Sequence, residues 1–169
     1  MSVSSWGVFS NAYVEVDLQL DPAAGDFSIE ALVRFDTTDS DRHIAAQQDG
    51  TGQGRSLLFR TDGGFLRSYL GGSSRTSSNS LSQGEWHHVV MTVEDGGAGA
   101  DTIRFYIDGQ ASGVKTETAE FADGNWVLGA AKGYESGLIG ALDEVAVYTN
   151  RLSEERISAH HAAWSAVHY

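Results

Sequence analysis

The chain has no cysteine and a single proline, Pro22, in 169 residues. Without thiols there is no disulfide framework and no thiolate zinc site, so burial of a core has to hold the fold. Basic residues are also scarce: 11 Lys and Arg stand against 23 Asp and Glu, a formal net charge of −12. A surface of that sign repels phosphate backbones and anionic lipid, so neither nucleic acid nor a membrane is an expected partner. No apolar run approaches the length of a bilayer span, so no membrane insertion is expected. Residues 1–7 hold neither a basic segment nor an apolar one, and no signal peptide is visible. Gly-x-Ser-x-Gly, zinc-helix and phosphate-loop motifs are missing too.

What the chain does have is glycine, 20 of them, punctuating short apolar runs. That pattern favours an all-β domain. Phe27–Phe35 alternates: Phe27, Ile29, Ala31, Val33 and Phe35 on one face, Ser28, Glu30, Leu32 and Arg34 on the other. Trp86–Glu94 alternates likewise, with Val89, Met91 and Val93 opposite His88, Val90 and Thr92. His43–Gln48, Ser56–Arg60 and Phe65–Leu70 read as a meander with glycine turns at Gly50–Gly54 and Gly63-Gly64. Two short strands are expected at Ser5–Phe9 and Tyr13–Val16, and the serine-rich Ser73–Ser82 reads as an edge strand or a loop. Thr102–Ile107 runs into Asp108-Gly109, a tight-turn signal. In Leu142–Tyr148, unbroken alternation sets Asp143, Val145 and Val147 against Leu142, Glu144, Ala146 and Tyr148. Ser153 is placed to cap a final helix with Glu154 and Glu155 in its first turn, and Ile157, His161 and Trp164 on one face. The segment Trp164–Tyr169 carries two aromatics beyond that helix. About a dozen strands and one short C-terminal helix predict a single domain over residues 1–169, a two-layer antiparallel β-sandwich.

Glu30, His88 and Glu144 fall on faces opposite the valine core. If their strands adjoin, they form either a ligand or acid/base site or a polar network that fixes strand register; the register network is the expected one. His87 and His88 are adjacent in a strand, point to opposite faces and cannot chelate one metal together. Arg34, Arg104, Tyr106 and Trp126 are candidates for a sugar-binding surface, with rings to stack on pyranoses and guanidinium groups to bond hydroxyls. Each has the plainer alternative of packing or simple exposure.

Four stretches, in order, carry a family resemblance. They are Gly25-Asp26-Phe27-Ser28-Ile29-Glu30-Ala31-Leu32-Val33, Gly84-Glu85-Trp86-His87-His88-Val89-Val90-Met91-Thr92, Ile103-Arg104-Phe105-Tyr106-Ile107-Asp108-Gly109, and Gly137–Arg156 with its Leu-Asp-Glu, Tyr and Leu-Ser-Glu-Glu elements. Together they resemble the laminin-G-like domains of the concanavalin A-like lectin–glucanase superfamily. The resemblance implies a jelly-roll sandwich that binds glycans or proteins, often with one calcium ion. By that analogy Asp143 is the metal candidate; the other reading is a carboxylate bonded to backbone N–H groups. Retaining glycosidases on this sandwich use a Glu-x-Asp-x-x-Glu strand. Here Glu15-Val16-Asp17 starts correctly but meets Leu20 where the second glutamate belongs.

Two functions are therefore expected ahead of a glycan-degrading enzyme. One is a non-catalytic binding or structural module displayed on a surface or particle, such as a virion decoration or appendage subunit or an adhesin. The other is a lectin-like carbohydrate-binding module excised from a larger extracellular protein. In both, the partner is a glycan or protein surface, the working form is a multimer or part of an assembly, and the location is extracellular or on a virion.

Overall fold

The computed structural model of the chain describes residues 2–3, 8–10, 13–16, 25–38, 41–48, 56–70, 73–97, 99–117, 125–130 and 137–168. Among these, the first strands are β1 (Ser2–Val3), β2 (Val8–Ser10), β3 (Val14–Val16), β4 (Phe27–Phe35) and β5 (Arg42–Gln48). Next come β6 (Ser56–Asp62), β7 (Phe65–Leu70), β8 (Ser73–Ser80), β9 (Trp86–Glu94) and β10 (Asp101–Ile107). β11 (Gln110–Glu117), β12 (Trp126–Leu128), β13 (Ile139–Tyr148) and the helix α1 (Glu154–His168) complete the set. One sheet has the order β1-β13-β4-β9-β10-β11, with β2 also on β13; the other runs β3-β12-β5-β6-β7-β8. The pairings are antiparallel.

Alternation decides what lies between the sheets. The odd positions of β4 from Phe27 to Phe35 all enter the core, together with Val89, Met91 and Val93 of β9. Ile44, Phe59, Leu66 and Trp126 meet them from the six-stranded sheet. Apolar area removed from water on this scale is the main favourable term holding a cysteine-free sandwich. The serine-rich stretch is a strand, β8, at the edge of its sheet, lying against β11 at the edge of the other. Its hydroxyls do backbone work: Ser77 Oγ accepts the Leu66 N–H at 3.0 Å and donates to the Asn79 carbonyl at 2.6 Å. The Asn79 N–H in turn donates to Ser112 Oγ across the gap at 3.0 Å.

The structure departs from simple alternation in β13. Its register against β4 shifts between Asp143 and Ala146, a bulge centred on Glu144, which adopts φ 48°. The extra residue flips the faces. Leu142 joins Val145 and Val147 on the core side, and Asp143, paired with Leu32, lies on the outer face with Ala146 and Tyr148. Neither carboxylate has to be accommodated inside the sandwich, which is the physical reason for the bulge.

Ser153 caps α1 as expected: its Oγ accepts the Arg156 N–H at 3.3 Å and its carbonyl the Ile157 N–H at 3.0 Å. The helix runs on to His168, so Trp164 lies within it rather than beyond it. It covers the outer face of the seven-stranded sheet, where Ile157 and Leu152 pack with Val90, Tyr106 and Tyr148 in a second, smaller cluster. Of the expected strand over Ser5–Phe9, residues 5–7 lie outside the described residues; Val8 and Phe9 belong to β2. Pro22, the Gly50–Gly54 turn, Asp17–Leu20 and Tyr169 lie outside the described residues.

Gly140 shows how tightly β13 is held against β4. It adopts φ 149°, and a β-carbon there would collide with the Arg34 carbonyl oxygen. Gly140→Ala is expected to cost roughly 3 kcal/mol through strain and overpacking. Gly97→Ala, at φ 62° with open space around it, should cost roughly 1 kcal/mol. Urea unfolding of the two variants checks the order; equal midpoints would show that the approach of the strands is not tight.

Candidate functional site

The outer face of the seven-stranded sheet carries its chemistry around one carboxylate. Glu30 sits mid-strand on β4, opposite Val90 of β9 and Ala146 of β13. Its direct neighbours are thus apolar, but its diagonal ones are not. His88 lies opposite Leu32, and Tyr148 opposite Ser28. Diagonal side chains on one sheet face are within reach of long residues. His88 Nε2 donates to Glu30 Oε1 at 2.6 Å, and the Tyr148 hydroxyl donates to Oε2 at 2.6 Å. The helix supplies a third donor: His160 Nδ1 lies 2.9 Å from Oε1 and 3.1 Å from Oε2. Glu30 is 6% exposed and His88 3% exposed, so the carboxylate is closed off from bulk water.

Burial alone would raise the Glu30 pKa, since a desolvated carboxylate resists ionisation. The bonds from His88, Tyr148 and His160, and the charge of His88, outweigh it and bring the value from 4.5 to about 2. The same contact acts in reverse on Tyr148, whose hydroxyl is pushed up by its own burial and by the neighbouring anion. A carboxylate held ionised and enclosed can accept hydrogen bonds; it is badly set for donating a proton to a substrate.

A second carboxylate braces the neighbouring strand end. Asp108 occupies the β10–β11 turn at φ 51°. Its Oδ1 accepts the His88 backbone N–H at 3.0 Å, and its Oδ2 meets His87 Nδ1 at 2.8 Å. His87 Nε2 accepts the Ser82 N–H at 3.0 Å, which makes Nδ1 the protonated nitrogen of the neutral ring. Burial pushes the Asp108 pKa up, but the bonds from His87 and the His88 amide carry it below the ordinary value. Burial likewise pushes His87 down, and the Asp108 carboxylate more than reverses that. His87 and His88 do serve different faces, as alternation requires.

The candidate residues fare differently. Glu30 and His88 come together. Glu144 does not join them: the bulge turns it outward into an exposed position, and Tyr148 and His160 supply the donors instead. Asp143 is half-buried, and its Oδ1 accepts the Glu144 N–H at 2.8 Å. Among the described residues no group of three or more His, Asp or Glu side chains is placed to hold a metal ion. Trp126 is 1% exposed in the core and Tyr106 2% exposed under the helix, so neither presents a ring to a ligand. Arg104 is paired with Glu94 at 2.8 Å. Arg34 stays partly exposed on the outer face, its guanidinium 5.8 Å from the centre of the Trp86 ring and its Nε 3.1 Å from Asp36. Trp86 sits opposite it on β9. Sequence reasoning missed Tyr148, His160, Asp108 and Trp86. Tyr148 shows itself by alternation once the bulge is known; His160 shows itself by standing three residues after Ile157.

The profile of a family described as the concanavalin A-like lectin/glucanases superfamily matches residues 9–158. No curated protein matches by sequence. Among solved structures, the chain is similar to a candidate carbohydrate-binding protein from Bacteroides ovatus, with 20% identity and a TM-score of 0.68 over 94% of this chain and 47% of that one. It is similar to domain 4 of a GH43 extracellular arabinanase from Geobacillus stearothermophilus, solved with arabinotriose (17% identity, TM-score 0.60, 80% of this chain and 66% of that one). It is also similar to the receptor-binding domain of botulinum neurotoxin type G (11% identity, TM-score 0.64, 95% and 46%). The chain thus spans about half to two thirds of these structures, and at such identities the likeness is one of fold.

The lowered Glu30 pKa fixes a pH dependence. An acid whose folded-state pKa lies below its unfolded value adds stability that is fully present above 4.5 and is lost as pH falls toward 2. The size is roughly 3 kcal/mol. Glu30→Gln is therefore expected to lower stability at pH 7 by about that amount and to flatten the acid limb. Urea titrations of both proteins from pH 7 to pH 3 check it; an unchanged acid limb would separate Glu30 from the acid response.

Proposed function

This chain belongs to the concanavalin A-like lectin/glucanases superfamily, and from that membership we propose that it is a non-catalytic module that binds a carbohydrate. The observation that supports this is a division of labour on the outer sheet face. The Glu30 carboxylate is enclosed beneath α1, fully engaged and ionised, so it serves architecture and not hydrolysis. Toward the far end of β4 from Ser28, Arg34 and Trp86 remain partly exposed, with Asp36 and the exposed Gln83 beside them. An indole ring and a guanidinium fork flanked by amide and carboxylate groups suit a sugar, which offers C–H faces and hydroxyls together.

The similar structures include one solved with arabinotriose and one candidate carbohydrate binder, which supports a saccharide over a virion decoration role. Display outside the cell in several copies is part of the same reading. One shallow face gives modest affinity, and repetition raises avidity without new contacts.

Calcium at Asp143 remains an expectation of the family alone, and most of its oxygens would come from backbone carbonyls. Melting curves with EGTA and with added calcium decide it: a shift that Asp143→Ala abolishes supports a site, and superimposable curves remove calcium from the proposal.

For the saccharide itself, a glycan array followed by calorimetry is the test. Trp86→Ala and Arg34→Ala are each expected to weaken the best hit about tenfold or more with little change in melting temperature. Turnover of a polysaccharide, or binding untouched by both substitutions, would overturn the reading.

A further inference from the structure

We propose that the second half of α1 is a proton-released strap, docked while His161 is neutral and lifted when that imidazole takes up a proton. Among its described side chains, the docked side of the helix carries few aliphatic ones. Ile157 is fully buried, but the half-buried positions that follow on that side are His160, His161, Trp164 and Ser165. Among the side chains described beyond His160, the rings on the docked side are those of His161 and Trp164. Gly109 lies directly beneath: a β-carbon there would stand 3.1 Å from His161 Cβ.

His161 stacks on His88 with ring centroids 5.8 Å apart and planes 25° from parallel. Trp164 also lies against the His161 ring, with centroids 6.0 Å apart and planes at 44°. His88 engages Glu30 through Nε2, which leaves Nδ1 as its other polar atom. That Nδ1 and the Nδ1 of His161 are both buried with no hydrogen-bond partner. A neutral His161 tolerates this. A proton on its Nδ1 creates a buried N–H without an acceptor and sets a new charge against the His88 ring in a poorly solvated gap.

The groups around His161 do not rescue it. His88 of β9 stacks on it and Asp108 of the β10–β11 turn acts on it, while Trp164 and Ser165 contact it from its own helix. Asp108 is the facing anion, but its oxygens are committed to His87 and the His88 amide. Glu30 is committed to His88, Tyr148 and His160. Ser165 Oγ donates to the His161 carbonyl at 2.9 Å and lies 3.3 Å from His161 Nε2, on the opposite side of the ring from Nδ1. Burial holds the His161 pKa below 6.5; Asp108 opposes that and His88 adds to it. A base with a lowered folded-state pKa contributes stability that is present above 6.5 and is lost as pH falls. His160 is bonded to Glu30 through Nδ1, and His87, whose pKa the Asp108 carboxylate raises, holds that partner more firmly in acid. The first half of α1 and the β10–β11 turn therefore stay in place, and the release begins at His161.

The test is amide hydrogen exchange on the intact chain at pH 7.5 and pH 5.0, corrected for intrinsic rates. Protection of residues 165–168 is expected to fall at least tenfold in acid while β4, β9 and the first turn of α1 keep theirs. His161→Phe keeps an aromatic ring that cannot charge and should abolish the fall. The wild-type imidazole titration, read from the His161 ring proton, should share its midpoint with the exchange. An unchanged protection, an equal loss in His161→Phe, a loss spread over the sheet, or a His161 midpoint away from that of the exchange would each overturn the proposal.

Discussion

Glu30 is an anion on a sheet face, and the outer architecture of this sandwich follows from the need to satisfy it. Water would ordinarily do so, but α1 excludes water from that face. A buried carboxylate without partners would cost several kcal/mol or take up a proton. Instead β9, β13 and α1 each contribute a donor, so three elements distant in sequence are tied to one side chain. Breaking any one leaves the others around an incompletely paired charge, which is why such a network specifies geometry more strongly than it adds net stability.

The same constraint explains the bulge in β13. Tyr148 has to face outward to reach Glu30, while Leu142, Val145 and Val147 have to face the core. Strict alternation cannot satisfy both, because an even step separates Leu142 from Tyr148. One extra residue at Asp143–Glu144 resolves the conflict and moves both carboxylates out of the core. The bulge thus belongs to the packing as much as to any site, and the Asp143 bond to the Glu144 amide closes it.

Function on this fold is a matter of surface. The sandwich is shared by proteins with unrelated tasks, and a likeness in backbone carries none of them across. What distinguishes one member from another is which rings and charges are left uncovered. Here the helix conceals Tyr106 and Glu30, the core takes Trp126, and Arg34 with Trp86 is left at the surface. The electrostatics sharpen the distinction: the strongly perturbed carboxylate is the inaccessible one, which is the opposite of what an acid/base site requires.

Much of this was legible in the chain. The period-two pattern of Phe27–Phe35 and Trp86–Glu94 determined two central strands and their inner faces, because side-chain direction in a strand depends only on position parity. Ser153 and its two glutamates determined where the helix begins, because capping is local. The co-location of Glu30 and His88 also followed from parity, given that their strands adjoin. Other features were decided only by the tertiary structure. The bulge was, because a register shift depends on what the partner strand needs and not on the bulged strand alone. The burial of Trp126 and Tyr106 was, because parity places a ring on a face but does not say whether a second sheet or a helix covers it. His160, 130 positions from Glu30, was the furthest from reach: no local rule relates the two residues, and only the docking of α1 on the sheet brings imidazole to carboxylate.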